Sequence, residues 1–394
     1  MKKSLLPGVL ALSLAISLAM GILKPVPHGH RYDLAVQLSL GLSLIWLLGR
    51  VPLERIFDRG VLAAVLVAGL GWGIVNVSSI DPRSEIVGYY RSVFEAIDSG
   101  RNPYTSGTVF HLGEDGKPVY GNFNYPPAEI YPYYLAYRVF GRWDSAVLTG
   151  VMILINGLAC LVLLATFPHV RAWKLAAFFP LFLVGEIKTN PALTLLVTAV
   201  ILGFIVRGTE KPGRGRPCLV AVVFGIGLMT KFLILPLMAA YYWNKFRVKE
   251  PASLVPIVGG GAAALATSAL IMAPFGISAV LKNTFLFNLV LGDRSSLTTF
   301  YPNVISGPLA ALGLGAIYPF AALAVVAMAI LAAPRLGLFT AMLTAVFAFL
   351  LAAPTPEPQY LTVVLYLALV SRVAELERDP KRARVRDAVP VRSG

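Results

Sequence analysis

Charge is scarce in this 394-residue chain: 14% of the residues are charged, 57% are apolar, and the mean hydropathy is +0.73. A soluble globular protein averages about 25% charged and about 45–50% apolar residues. The composition therefore excludes a soluble enzyme. It also excludes disorder, because a chain this apolar does not remain solvated. We expect one integral membrane domain.

Cysteine and histidine are also few. Cys160 and Cys218 lie in or beside apolar blocks without the spacing of a disulfide framework or a zinc site. The four histidines are scattered, and the chain has no GxxxxGK[ST], HExxH or GxSxG motif. We therefore predict no cofactor and no bound metal. The net charge of +14 needs no nucleic-acid partner, because basic loops on the cytosolic side explain it.

The apolar runs predict an all-α polytopic membrane protein of about 12 transmembrane helices, since a spanning helix needs about 17–25 residues. The block 217–243 is interpreted as two short helices that enter and return, because Lys231 interrupts it. The predicted helices lie near 4–23, 34–49, 61–78, 144–166, 172–186, 190–206, 217–243, 253–273, 304–333, 336–352 and 359–373.

The distribution of basic residues sets the expected orientation. Cytosolic loops of membrane proteins carry the excess of Lys and Arg, which here puts both termini in the cytosol of a multi-pass plasma-membrane protein. We expect a single membrane domain over 1–374 and a charged cytosolic tail over 375–394. The one long hydrophilic segment, 79–143, is then extracytoplasmic, and it holds seven of the 20 acidic residues. A loop of this length is typical of a functional site.

The start of this loop, 81–104, has the pattern of an amphipathic interfacial helix. Apolar residues recur at helical spacing up to Gly100, which suits the end of a helix. Asp81 and Glu85 are four residues apart and so share a face. Either carboxylate is placed to take a proton from a sugar hydroxyl. The alternative is that both acids only stabilise the positive end of the helix dipole.

Five further segments hold polar groups that suit a site: 122–134, 185–191, the surroundings of Lys231, 292–307 and 354–360. Each has a simpler interpretation, respectively an interfacial aromatic anchor, an internal salt bridge, a snorkelling lysine and two ordinary loops. By the predicted topology the segments other than Lys231 lie on the same outer side as 79–143. That convergence favours a shared site.

Taken in order, these motifs resemble the GT-C membrane glycosyltransferases, and among them family 87, which is dependent on polyprenyl-phosphate-mannose. The resemblance rests on Glu85 before Tyr89 and Tyr90, on Gly100 with the Asn102–Pro103–Tyr104 turn, and on Tyr125–Pro126–Pro127. It continues through Gly185–Asn190, Gly227–Lys231, Asn303–Gly307 and Pro354–Tyr360, and covers roughly residues 75–370. The chain departs from the family pattern at three positions. The acid of the first outer loop is usually aspartate in the family and is Glu85 here, a glutamine of the family is replaced by Glu186, and a late histidine is replaced by Gln359.

The resemblance implies a GT-C-like helix bundle with interfacial helices in the first large outer loop, and an inverting transfer of a sugar, mannose in the related enzymes. The partners would be a polyprenyl-phosphate-sugar donor, a lipid or glycan acceptor and membrane lipids. The expected base is Glu85 or Asp81. The expected donor-binding residues are Tyr89, Arg91, Tyr104, Tyr125, Glu186, Lys188, Lys231, Arg294, Gln359 and Tyr360. The alternatives are a lipid or small-solute transporter and an inactive family member that scaffolds other enzymes.

Overall fold

The structure, a computed structural model, describes residues 85–112, 117–166, 191–210, 216–248, 254–286, 309, 312–332, 337–352 and 367. These residues are mostly helical. The predicted helices at 4–23, 34–49, 61–78 and 172–186 lie outside the described residues. The predicted helix at 359–373, apart from residue 367, and the predicted tail at 375–394 also lie outside the described residues.

The first described element is the amphipathic helix predicted from the apolar spacing. Helix α1 runs over Glu85–Asp98 and buries Val87, Tyr90 and Phe94 along one face. It ends before Gly100, which adopts φ +69°, the left-handed conformation that glycine takes past a helix end. The Gly100 N–H then bonds the carbonyl of Ile97 at 2.9 Å. The prediction of an amphipathic helix ending at this glycine is confirmed.

A small antiparallel hairpin follows α1 and is the one departure from an all-helical chain within the described residues. Strands β1 (Val109–Leu112) and β2 (Pro118–Gly121) pair with Phe110 opposite Tyr120. Four-residue strands are too short for a period-two pattern to stand out, which is why the sequence interpretation missed them. The Asp115–Gly116 pair between them is a known hairpin signal that was available.

A second short helix completes this part of the chain. A 3₁₀ turn, Pro127–Glu129, leads directly into helix α2, Ile130–Phe140, which stops at Gly141 with φ +62°. Pro at the first helical position suits a start of this kind, because its missing N–H would have no helical partner there. We call residues 85–112 and 117–143 the outer layer.

The remaining helices are apolar, and all except the five-residue α8 agree with predicted positions at least in part. They are α3 Ser145–Thr166, α4 Pro191–Glu210, α5 Arg216–Leu228, α6 Ile234–Val248, α7 Leu254–Met272, α8 Ile277–Leu281, α9 Tyr318–Ala332 and α10 Leu338–Ala352. The main pairings are α3 with α4, α5 with α7, and α10 with both α6 and α9. The interpretation of 217–243 as two short helices is confirmed, with the break at 229–233.

The predicted helix 304–333 is too long. Helix α9 begins at Tyr318 behind a 3₁₀ turn at Gly315–Ile317. Gly313 adopts φ +72°, which is incompatible with a right-handed helix, so the apolar run breaks there. Hydropathy alone did not show this break, because the residues on both sides are equally apolar.

Within the part of the chain that the structure describes, two helical segments are long and apolar enough to cross a membrane by length and composition: Ile257–Phe275 and Gly315–Ala332. Large apolar side chains on the second are exposed, with Phe320 74% and Leu323 68% accessible. Exposed apolar surface of this kind marks a contact with lipid or with another apolar partner. This supports membrane association, and the number of crossings stays a prediction.

Close helix packing in the core depends on glycine. A methyl group at Gly225 of α5 would lie 2.5 Å from the carbonyl oxygen of Ala264 and 2.7 Å from Cβ of Thr267, both on α7. The Gly225 carbonyl also accepts a hydrogen bond from Ser268 Oγ at 3.1 Å. Small residues at such a crossing let two backbones approach closely.

Candidate functional site

Aromatic side chains fill the interior of the outer layer. Tyr90 lies at their centre, with its ring centroid 4.9 Å from Tyr133, 5.9 Å from Phe123 and 6.3 Å from Trp143. Most of these contacts are edge-to-face or tilted, which is the arrangement that aromatic quadrupoles favour. We call Tyr90, Phe94, Phe123, Tyr133 and Trp143 the aromatic cluster. It joins α1, the hairpin's exit and α2 into one packed unit.

A carboxylate is buried beside this cluster. Glu129, at the end of the 3₁₀ turn, is fully buried, and its Oε2 accepts a hydrogen bond of 2.8 Å from the Tyr90 hydroxyl. Burial raises the pKa of Tyr90 well above its usual value, and the nearby Glu129 charge raises it further. Tyr90 therefore stays protonated and remains a donor to Glu129. A buried carboxylate normally needs a charged partner as well, and Glu129 has one.

The partner is Lys231, in the turn between α5 and α6. Its Nζ lies 3.3 Å from Oε1 of Glu129, and the two side chains are only 8% and 1% exposed. The same Nζ lies 4.0 Å from the ring centroid of Tyr125, within the range of a cation–π contact. A backbone hydrogen bond of 2.9 Å from the Ala128 N–H to the Met229 carbonyl holds the two segments in register.

Two asparagines attach the outer layer to the segment that follows α7. Asn102 Nδ2 donates to the carbonyl of Phe275 at 2.6 Å, while its Oδ1 accepts from the Tyr104 N–H at 3.0 Å. Asn283 Nδ2 donates to the Tyr104 carbonyl at 2.7 Å. The Asn102–Pro103–Tyr104 turn is thus a docking element. It brings together segments that the predicted topology assigns to one side of the membrane.

An exposed polar network ties α1 to α2. Asp98 accepts hydrogen bonds from the Tyr134 hydroxyl at 2.6 Å and from Arg138 Nη1 at 3.3 Å. The Tyr134 hydrogen bond is the main reason that the pKa of Asp98 is lowered, with Tyr137 and Arg138 acting in the same direction. Because the network is exposed, its contribution to stability is small.

Of the donor-binding residues predicted from the sequence, Lys231 and Tyr125 are in direct contact. Tyr89 is buried, and its hydroxyl donates to Asn124 Oδ1 at 2.6 Å. Tyr104 is also buried, and its hydroxyl donates to the Tyr125 carbonyl at 2.8 Å. Arg91 is exposed at the other side of α1, where its Nη2 donates to the Trp143 carbonyl at 2.7 Å.

Of the remaining predicted residues, only Glu85 is among those that the structure describes. Glu85 is described as the first residue of α1. The other members of the predicted site lie outside the described residues, namely Asp81, Glu186, Lys188, Arg294, Gln359 and Tyr360. Within the described ranges, no three His, Cys, Asp or Glu side chains lie together as a possible metal site.

The sequence analysis included the segment 122–134 among the candidates but did not single out Glu129 within it. A signal was available, because Glu129 precedes the apolar–aromatic run of α2 and Lys231 interrupts an apolar block. Isolated opposite charges in apolar surroundings are candidates for mutual pairing.

The arrangement offers a buried cation at the junction between an aromatic layer and the ends of apolar helices. Such a cation can neutralise an anionic group, while the neighbouring tyrosine rings can pack against a sugar or an alkyl chain. Comparison of the chain with protein-family models, with curated proteins and with solved structures gives no match.

Proposed function

We propose that this protein is a multi-pass membrane glycosyltransferase of the plasma membrane that acts on the extracytoplasmic face. It moves a sugar, mannose by the sequence resemblance, from a polyprenyl-phosphate donor to a lipid or glycan acceptor, with inversion at the anomeric carbon. The observation that carries the proposal is the Lys231 ammonium at the junction of the outer layer with α5 and α6. A polyprenyl-linked donor has a phosphate that needs a cation and a tail that needs apolar surroundings.

The proposed reaction requires one base and one stabilised leaving group. The acceptor oxygen attacks the anomeric carbon, its proton passes to the carboxylate of Glu85 or Asp81, and the bond from that carbon to the phosphate oxygen breaks. Polyprenyl phosphate leaves with the electron pair. Lys231 would stabilise the charge that builds on the phosphate, where electrostatic stabilisation acts most strongly.

Two further cations complete the proposal on sequence grounds. Lys188 and Arg294 would supplement Lys231 at the leaving phosphate. No cofactor and no metal ion is assigned a role, because an inverting displacement of this kind needs one base and a neutralised leaving group.

The test is sugar transfer by the full chain in nanodiscs, with polyprenyl-phosphate-mannose as donor and a membrane lipid extract as acceptor. We expect Glu85→Gln or Asp81→Asn, but not both, to abolish turnover while donor affinity is largely kept. The control is Glu95→Gln, which changes an exposed acid on the same helix. Absence of transfer from mannose, glucose and arabinose donors, by folded protein that binds none of them, would rule out the proposal.

A transporter or flippase is the second candidate. Helices α5 and α6 are short and meet at a turn, where Lys231 pairs with the buried Glu129 of the outer layer. Helices broken near a polar group are a feature of transporter sites. A transporter would move a lipid or small solute across a vesicle membrane without consuming a donor. Such transport should be insensitive to Glu85→Gln and Asp81→Asn.

A further inference from the structure

The contact between Lys231 and Glu129 neutralises charge without a short hydrogen bond. The Nζ–Oε1 distance is 3.3 Å, whereas a charge-assisted N–H···O bond measures about 2.7–2.9 Å. The ammonium group has three N–H donors. Among the residues that the structure describes, it contacts this one oxygen and the face of the Tyr125 ring. Lys231 therefore retains capacity to donate to a better-placed acceptor.

The two members of the pair differ in how firmly they are held and how deeply they lie. Glu129 is 1% exposed and is anchored independently of Lys231 through the 2.8 Å hydrogen bond from Tyr90. The Lys231 side chain is buried as well, but 8% of it remains exposed. If the ammonium changes partner, the hydrogen bond from Tyr90 still stabilises the carboxylate.

Lys231 lies just before the start of a helix. The Ile234 N–H donates to the Lys231 carbonyl at 3.1 Å, and helix α6 begins at Ile234. The N-terminus of a helix of 15 residues carries partial positive charge within its first turn. Lys231 therefore lies three residues before the positive end of this helix.

We propose that Glu129 is a built-in counter-ion of Lys231 which a phosphate group displaces on binding. In the empty protein the carboxylate neutralises the buried ammonium. A phosphate competes with that carboxylate for the ammonium, so Glu129 weakens the apparent affinity for the phosphate. This inference rests on the proposed function for the identity of the phosphate as that of a polyprenyl-phosphate donor.

The proposal predicts the sign of an affinity change. With Glu129→Gln, the Tyr90 hydroxyl keeps an acceptor, but the charge that competes for Lys231 is gone. Phosphate then becomes the counter-ion of the ammonium, and its binding should tighten about tenfold. A carboxylate that merely shaped the site would give the opposite result, because its loss would leave binding unchanged or weaker.

The test uses the full chain in nanodiscs and undecaprenyl phosphate as the probe. Dissociation constants are compared for the native chain, Glu129→Gln, Lys231→Gln and the double variant. We expect tighter binding by Glu129→Gln, and loss of binding by Lys231→Gln and by the double variant. Undecaprenol and inorganic phosphate are the control probes. Tightening with inorganic phosphate as well identifies a free-phosphate site, and tightening with undecaprenol, which lacks a phosphate, overturns the proposal.

Folding is controlled by thermal unfolding of each variant with and without the probe. A ligand that binds the folded state raises the unfolding temperature, and undecaprenyl phosphate should raise that of Glu129→Gln by more than that of the native chain. If Glu129→Gln does not fold, Glu129→Asp is measured in its place. Shortening the side chain by one methylene withdraws the carboxylate from Nζ of Lys231, so this variant should also bind undecaprenyl phosphate more tightly than the native chain. Equal or weaker binding by the folded variant overturns the proposal.

The binding experiment also separates this proposal from the proposed function. It contains no transfer step, so a protein that transfers no sugar can still show tighter undecaprenyl-phosphate binding after Glu129→Gln. That outcome would rule out the proposed transferase function and support the counter-ion exchange. Sugar transfer by the native chain, together with undecaprenyl-phosphate binding that does not tighten in Glu129→Gln, would rule out the counter-ion exchange and support the transferase function.

Discussion

Attachment of the outer layer to α7 should depend strongly on Asn102. Its side chain makes two hydrogen bonds, to the Phe275 carbonyl at 2.6 Å and from the Tyr104 N–H at 3.0 Å. Replacement by alanine removes both. Each bond contributes about 1 kcal/mol, and a buried partner left unsatisfied costs about 1–3 kcal/mol. We therefore expect Asn102→Ala to lower the free energy of unfolding by about 2–4 kcal/mol.

The matched control is Ser99→Ala, three residues earlier. Ser99 is exposed, and its one side-chain hydrogen bond to the described residues goes to the Glu95 carbonyl of the preceding helix α1. Loss of this local contact should change stability by less than about 0.5 kcal/mol. Both variants remove one polar side chain from the same turn region. The difference between their free energies of unfolding therefore reports the contact with the Phe275 carbonyl.

The assay combines thermal unfolding in nanodiscs with amide hydrogen exchange. Asn102→Ala should lower the unfolding temperature and raise the exchange rate in both 101–105 and 273–286, because the two segments would separate locally. Ser99→Ala should leave 273–286 unchanged. An Asn102→Ala protein as stable as Ser99→Ala, with the same protection in 273–286, would refute the docking role.

Two further predictions concern packing and pH. Gly225→Ala should destabilise the protein by about 1–3 kcal/mol through overpacking against Ala264. The control is Gly157→Ala, whose added methyl group meets no described residue within 4 Å and which should be neutral or gain up to about 1 kcal/mol. Equal unfolding temperatures for the two variants would contradict the close approach of α5 and α7. The pKa of Asp98 is lower in the folded than in the unfolded protein, so its carboxylate stabilises the fold at pH values above its unfolded-state pKa. That stabilisation is lost as the pH falls through the folded-state pKa. The native chain should therefore lose more stability than Asp98→Asn when pH is lowered below the ordinary carboxyl range, and an identical loss would contradict the network with Tyr134.

Elements with local causes were predictable from the sequence. Helix α1 was found because its apolar spacing and its terminating Gly100 lie within one short stretch. The break between α5 and α6 was found because Lys231 interrupts an apolar block that charged residues bound at both ends. The start of α9 was misplaced because a positive φ at Gly313 is not visible in hydropathy.

The sequence by itself determined that the chain is apolar and helical, and it identified Lys231 as an isolated charge. Only the tertiary structure decided which residue neutralises that charge, because Glu129 lies far away along the chain and meets it through the docking of the outer layer on the turn after α5. The same holds for Asn102, whose role depends on the position of the Phe275 carbonyl. Hydropathy and helical periodicity act over neighbouring residues, whereas the partner of a buried charge is set by the path of the whole chain.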